Sequence, residues 1–505
     1  MNILRKEPHS RLLFVVAFLL PATLFAQDAF GDFGFGDSDG FGFSGASSGF
    51  SVNIGGEVNS ELAFYFDDMG SSEKAKNMKL GDIFSGSLNF SAGSSAAEAV
   101  INLNLRPVID SPVSIDEAFG RAFFGPVTIE GGLRKLSWGR ADSFGPLDVI
   151  NPLDYSDLTQ LSDPKSVKIA RPMIHGSVSL GSFTKLEAVF VPWFQGHKFA
   201  ETGRWTPRQV DDLKGMIKQT LGKTLDGINS YPDLILPPSN KDEFESLITG
   251  IGSSLEDRIA NGSIYPETDI LEYAQAGVRF TTSIGSSDLG FQYYFGRLPR
   301  PAISGINPLV FFTPPTLPAP PVLSNIHSDA ITPDIEYNCY HQIATDFARV
   351  IYGFNLRAEA GMNLTKDLDG KNPAVENPAF VWSLGFDRDL VAGINLNLQG
   401  NGKIRLFYSK ISDDFPLDCE AGTDATSTRI TGIISRKFLR DELELKVTGL
   451  WGIEDRDFLI MPSIGWARND VSAKLSAGFF GGDKKGELGQ YRDNAFLKVA
   501  LGYTF

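Results

Sequence analysis

The chain has 505 residues, including 52 Gly, 39 Phe and only 2 Cys, and carries a formal charge of −15. An acidic balance of this size excludes a nucleic-acid partner, because neutralising phosphates needs a dense basic face. Abundant glycine and phenylalanine favour many short strands and tight turns over helical packing.

Taken in chain order, the first segment has a basic stretch ending at Arg11, an apolar run from Leu12 to Phe25 and a small residue at Ala26. This reads as a secretory signal over residues 1–26. Residues 27–50 repeat Phe, Gly, Asp and Ser and are too glycine-rich to pack a core, so they are expected to form a periplasmic tail. No later run of about 18 apolar residues occurs, so an exported chain must be soluble, anchored or a strand-built barrel.

From Ser51 to Phe505 the pattern is period two. Ile101, Leu103 and Leu105 alternate with Asn102, Asn104 and Arg106. Phe354, Leu356, Ala358 and Ala360 alternate with Asn355, Arg357 and Glu359. The alternation through Ile394, Leu396 and Leu398 outlasts an ordinary strand and suits a tilted, membrane-spanning one. Sixteen to eighteen such segments are expected, with short connections after even-numbered strands and mostly long ones after odd-numbered strands. Sorting of turns and loops by side is the signature of an all-β transmembrane antiparallel barrel with both termini periplasmic.

The insertion over residues 200–265 changes to a helical period. Thr206 and Pro207 predict a helix start with proline at the first helical position. Leu213, Leu221, Leu225 and Ile228 form one apolar stripe, and Phe244, Leu247, Ile248 and Ile259 a second. Two readings stay open for this helical hairpin, an external cap or a plug in the lumen. The stretch from Pro299 to Pro333 is proline-rich and predicts an extended external loop.

Motifs for covalent chemistry are lacking. His175, His197, His327 and His341 stand apart, without metal-ligand spacing, and no nucleophile elbow is present, so neither an enzyme nor a cofactor is expected. Cys339 and Cys419 fall on the same side of the barrel and form a candidate disulfide.

The residues expected inside the barrel mix charges and are slightly basic, which suits a water-filled path for small polar solutes. One motif is sharper. Gly132-Leu133-Arg134-Lys135-Leu136-Ser137-Trp138-Gly139-Arg140 is followed by Val149-Ile150-Asn151-Pro152-Leu153-Asp154. It resembles a family of porin-like bacterial outer-membrane proteins with a G-R-Q-x-x-x-W-G strand end and an I-N-P-x-D loop; Lys135 replaces the usual Gln. The resemblance covers about 25 residues and implies architecture, not a solute.

Constriction candidates are therefore Arg106, Glu130, Arg134, Trp138, Arg140, Asp142, Asp148, Asn151, Asp154, Arg357, Glu359 and Arg405. Trp138 has a second reading as an anchor at the membrane interface. In the last strand Tyr503 and Phe505 face lipid and resemble the C-terminal signal read by the barrel-assembly machinery. The expected function is an outer-membrane channel, with outer-membrane lipid and further copies of the chain as neighbours. The alternative is a surface-exposed interaction or adhesin barrel with a closed lumen.

Overall fold

A computed structural model describes residues 50–68, 83–107, 112–234, 236–260, 264–306, 312–313, 322–323, 333–413 and 418–505. The expected signal segment and tail lie outside these residues, as does most of the proline-rich loop.

Alternating sequence becomes one closed sheet. Its eighteen strands are β1 Ser51–Tyr65, β2 Phe84–Gly93, β3 Ala97–Leu105, β4 Val113–Phe124, β5 Val127–Arg134, β6 Arg171–Ser179, β7 Thr184–Val191, β8 Gln275–Ile284 and β9 Ser287–Arg297. They continue with β10 Cys339–Ile351, β11 Phe354–Thr365, β12 Ala379–Asp389, β13 Ile394–Arg405, β14 Thr426–Phe438, β15 Leu443–Gly452, β16 Asp457–Arg468, β17 Val471–Gly482 and β18 Phe496–Thr504. Each pairs antiparallel with its sequence neighbour, and β1 closes on β18 with Glu57 opposite Thr504 and Tyr65 opposite Phe496. Phe505 extends the seam by exchanging two backbone bonds with Gly56, each 3.0 Å. Closure leaves no unpaired edge, which a bilayer would penalise heavily.

Connections after even strands are tight. At the β10–β11 turn Tyr352 and Gly353 both take positive φ, 51° and 79°, the backbone of a two-residue primed hairpin. Loops after odd strands are longer, except the short one between β15 and β16, and both ends of the barrel chain sit on the turn side.

Burial is inverted relative to a soluble protein. Ile343, Leu384, Phe291 and Trp451 are exposed on the outer face, while Gln342, Asp346 and Asp457 are almost wholly buried inside. An apolar exterior and a polar interior make a transmembrane barrel of bacterial outer-membrane type. Tyr503 and Phe505 stack on the outer face at 6.5 Å, beside the turn-side rim.

The insertion folds as α1 Arg208–Asn229 and α2 Pro238–Ala260. Pro207 is the residue before the helix rather than its first member, and no side chain caps α1. Leu213, Leu221 and Ile228 pack with Phe244 and Ile248, and Ile303 and Ile335 close the cluster. Those last two residues belong to a strand pair, 302–306 with 333–336, that rises from the loop after β9. The two apolar stripes thus bury each other on the loop side of the barrel, the cap arrangement rather than the plug.

Candidate functional site: a loop that crosses the lumen

Arg134 at the end of β5 pairs with Arg171 at the start of β6, so the 36 residues between them leave and return at one point of the wall. Asn151 ties that base together. Its side chain, 4% exposed, accepts from Leu136 N–H at 2.8 Å and donates to Arg134 O at 3.0 Å and Ile169 O at 2.8 Å. Three bonds from one amide fix where the loop turns inward.

Between these ends the loop traverses the barrel. Gly139, at φ +91°, makes the bend, and the Glu359 carboxylate fills the space that a Cβ would need. Glu359 on β11 accepts from the N–H groups of Arg140 and Ala141. Gln399 on β13 accepts from Asp142 N–H at 2.9 Å and Ser143 N–H at 3.2 Å. Gln292 on β9 and Gln342 on β10 donate to Leu147 O and Pro146 O, each at 3.0 Å. Since β13 is eight strands from β5 in an eighteen-stranded ring, the loop spans nearly the full diameter.

Charge reinforces these tethers. Asp346, 1% exposed on β10, takes Arg279 of β8 and Arg140 of the loop, each at 2.7 Å. Gly290 on β9 leaves the room that the Asp346 carboxylate occupies. Arg357 of β11 binds Asp142 of the loop and lies 2.7 Å from Asp387 of β12, while Asn397 of β13 donates to Asp142 at 2.7 Å. Asp148 pairs with Lys168, but burial dominates and pushes its carboxyl pKa up.

Two apolar clusters hold the flanks. Leu136, Trp138 and Ile150 pack on Met173, Val189 and Tyr294 of the wall. Trp138 is 3% exposed and meets Tyr294 edge-on at 6.3 Å, so it is a lumenal packing residue and not an interface anchor. On the other flank Leu158 and Leu161 join Trp205, Leu450, Leu459, Phe480 and Phe496. Inward apolar residues at the loop end of β15–β18 thus find partners that the alternation alone does not supply.

The remaining candidates divide. Glu130 and Arg134 lie in a wall network with Arg121, where Glu130 reaches His175 Nδ1 at 2.8 Å and Glu187 is 3.3 Å from His175 Nε2. His175 therefore does not stand alone: neighbouring strands bring two carboxylates to it from positions 45 and 12 residues away in sequence. Among the described residues no His, Cys, Asp and Glu group is arranged to hold a metal ion. Asp154 binds Lys198 at 2.9 Å and caps Ser156, outside the crossing segment's ion pairs. Arg405 sits at the loop end of β13 and binds Glu420 at 2.8 Å. Arg106 is exposed past the end of β3, its N–H bonded to Pro112 O, and joins none of these contacts. Its alternation places it on the inward face, but the strand ends before it.

Cys339 and Cys419 are free thiols, which corrects the expected disulfide. Cys339 is held in the β10 ladder opposite Arg297, whereas the Cys419 N–H bonds to Pro373 O in the loop after β11. Burial, then Glu376, Glu420 and Asp418, push the Cys419 thiol pKa up, so it stays protonated and slow to react. Gel mobility of the folded protein should be the same with and without reductant; a reductant-dependent shift would restore the bond.

Above the crossing loop, external loops from opposite walls meet. Arg300, beyond β9, is 2.7 Å from Glu487, beyond β17, and Arg429 of β14 reaches Glu487 at 3.0 Å. The Arg300 and Glu487 side chains remain 60% and 53% accessible, so the bridge stands in water. Arg208 N–H, at the foot of α1, donates to Gln490 at 2.7 Å, which ties the helical cap to the loop after β17. His197 accepts from Leu153 N–H at Nδ1, 2.9 Å, and burial followed by Arg300 pushes its pKa down to about 3.

These groups define acid behaviour in two windows. Folded His197 binds its proton far less readily than an unfolded histidine of pKa about 6.5, so its contribution to stability is present above that value and declines as pH falls toward 3. Arg300, then Arg429, hold the Glu487 carboxyl below the usual range, so the bridge survives through about pH 4.3 and is lost only at lower pH. The two ranges overlap below about pH 4.3, so Glu487→Gln should leave the decline that begins near pH 6.5 and lessen the further loss below about 4.3, measured by intrinsic fluorescence against pH in detergent.

A closed barrel with an apolar belt and a wall-to-wall inward loop is the class the geometry defines. No family model and no curated protein matches the chain. Solved outer-membrane barrels resemble it weakly. OccAB4 of Acinetobacter baumannii is 10% identical over 91% of this chain and 99% of its own, with a TM-score of 0.45. OccK11 of Pseudomonas aeruginosa is 8% identical over 92% and 99%, TM-score 0.44. Wzi of Escherichia coli, described as a carbohydrate-binding barrel involved in capsule assembly, is 11% identical over 89% and 84%, TM-score 0.41. Likeness at this level assigns neither solute nor mechanism.

Proposed function

We propose that the protein is an outer-membrane channel in which loop 135–170 sets the passage of small polar solutes. The observation that carries this reading is the chemistry of the crossing. Against β9–β13 the loop is tethered by ion pairs and amides, and several of these remain wet: Asp288 is 46% accessible and Asp142 31%. Accessible charges inside a closed barrel line a water-filled path along that wall. The solute class this favours is small, hydrophilic and tolerant of both charge signs. No covalent step is part of the proposal; His341 lies on the outer face against Tyr293 and Phe295, away from the loop.

The last strand, with Tyr503 and Phe505 on the lipid face, supports recognition by the barrel-assembly machinery. A second reading, a surface interaction barrel with a closed lumen, is favoured by the dry packing against β15–β18 and the Arg300–Glu487 bridge across the mouth. Planar-bilayer recording separates the two. A channel gives discrete conductance steps that change when Arg140 or Asp142 is replaced; a closed surface barrel gives none.

A further inference from the structure

Four arginines interrupt the apolar exterior near the turn-side ends of consecutive even strands; Arg297 of β9 shares the outward parity but lies at the opposite, loop-side end. Arg349 of β10 is opposite Leu356, Arg388 of β12 opposite Leu396, Arg436 of β14 opposite Leu445, and Arg468 of β16 opposite Val471. Each partner is on the lipid face, and strand alternation therefore puts the arginines there too. The corresponding outward positions of β2, β4, β6 and β8 are Ala92, Phe124, Val178 and Ile284. The basic row thus covers one arc of the rim.

Two of the four stand over aromatic rings, Arg388 over Phe354 at 4.2 Å and Arg436 over Phe438 at 4.5 Å. Arg468 has Glu442 at 3.7 Å; no ion pair within 4.0 Å is formed by the other three among the described residues. An unpaired guanidinium on a lipid face is costly unless an anion meets it at the headgroup level.

Arg436 also borders a groove of about 480 Å³ that runs over β14–β18 and is walled by Ile434, Val447, Pro462, Ile464, Leu475 and Leu497. Proline has no N–H for the ladder, and the β16–β17 pairing skips from Ile460 with Phe479 to Ser463 with Ser476. The wall is dented where Pro462 sits. A groove with an arginine at its turn-side end matches one acyl chain below one phosphate.

We propose that this arc of the periplasmic rim binds an anionic glycerophospholipid of the inner leaflet, its phosphate on Arg388 and Arg436 and an acyl chain in the Pro462 groove. Four like charges in a row disfavour a second copy of this chain on the same surface. The site is independent of whether the lumen conducts.

Native mass spectrometry of the refolded full-length barrel, with phosphatidylglycerol or phosphatidylcholine added to the detergent, tests it. Phosphatidylglycerol should be retained preferentially, and the preference should fall about fivefold for each of Arg388→Gln and Arg436→Gln. Ala477→Phe, which fills the groove, should weaken retention of both lipids without abolishing the preference. Equal retention of the two lipids, a preference untouched by the double arginine substitution, or dimers replacing lipid adducts would each overturn the proposal.

Discussion

Asp346→Ala should be among the most destabilising single substitutions in the barrel. The carboxylate is 1% exposed and is the shared partner of Arg279 and Arg140, both at 2.7 Å. Removing it leaves Arg279 of the wall with only Gln292 at 3.0 Å, and Arg140 of the loop with only the longer, more accessible contact to Asp288 at 3.4 Å. Breaking a buried pair from one side costs about 3–5 kcal/mol, far above the ~1 kcal/mol of an exposed pair. A lowered midpoint in guanidinium unfolding should report it, accompanied by noisier channel traces, since Arg140 is also the loop's tether. An unchanged midpoint would mean that the two arginines are adequately solvated without Asp346.

Replacing residues 136–169 by a four-residue turn should open the lumen. The design is feasible because Arg134 and Arg171 are register partners, so a hairpin turn can join the strands they end. The tethers from Gln292, Gln342, Glu359 and Gln399 would then face water, and conductance should rise severalfold with admission of larger sugars in liposome-swelling assays. Stability should fall at the same time, because Leu450, Leu459 and Phe496 lose Leu158 and Leu161 as cover. A shortened protein that folds yet conducts no better would show that the helical cap and the mouth bridge, not this loop, limit passage.

Much of this fold is legible in the sequence, for a physical reason. A barrel wall has only two environments, so each residue declares its side through period-two alternation, and Ile394 to Arg405 can be oriented without any tertiary knowledge. The eighteen strands meet the upper end of the sixteen to eighteen that the alternation predicts, and the lipid-facing parity of Leu501 and Tyr503 holds in the closed seam. Parity also marks Gln292, Gln342, Asp346 and Gln399 as inward. What it cannot supply is the partner of an inward residue. Arg140 and Asp346 are 206 positions apart, and only the path of the loop brings them together.

The candidate site was legible to the same degree. Arg134 through Asp154 signal a distinctive loop, but Trp138 reads equally as an interface anchor until its packing on Tyr294 is seen. His175 looks isolated because its carboxylates arrive from adjacent strands. The cysteines share a side of the barrel, yet side alone does not set the distance and angle a disulfide needs. The helical stripes are legible in the sequence, but the choice between cap and plug depends on Ile303 and Ile335 in another loop.

Single-channel conductance of the native chain beside the 136–169 replacement tests the central claim most directly. If the inward loop governs a polar path, the native barrel gives small, discrete steps and the replacement gives steps severalfold larger with weaker discrimination among solutes. Silence from both proteins, each shown to be folded and inserted, would contradict a channel and leave the closed surface barrel.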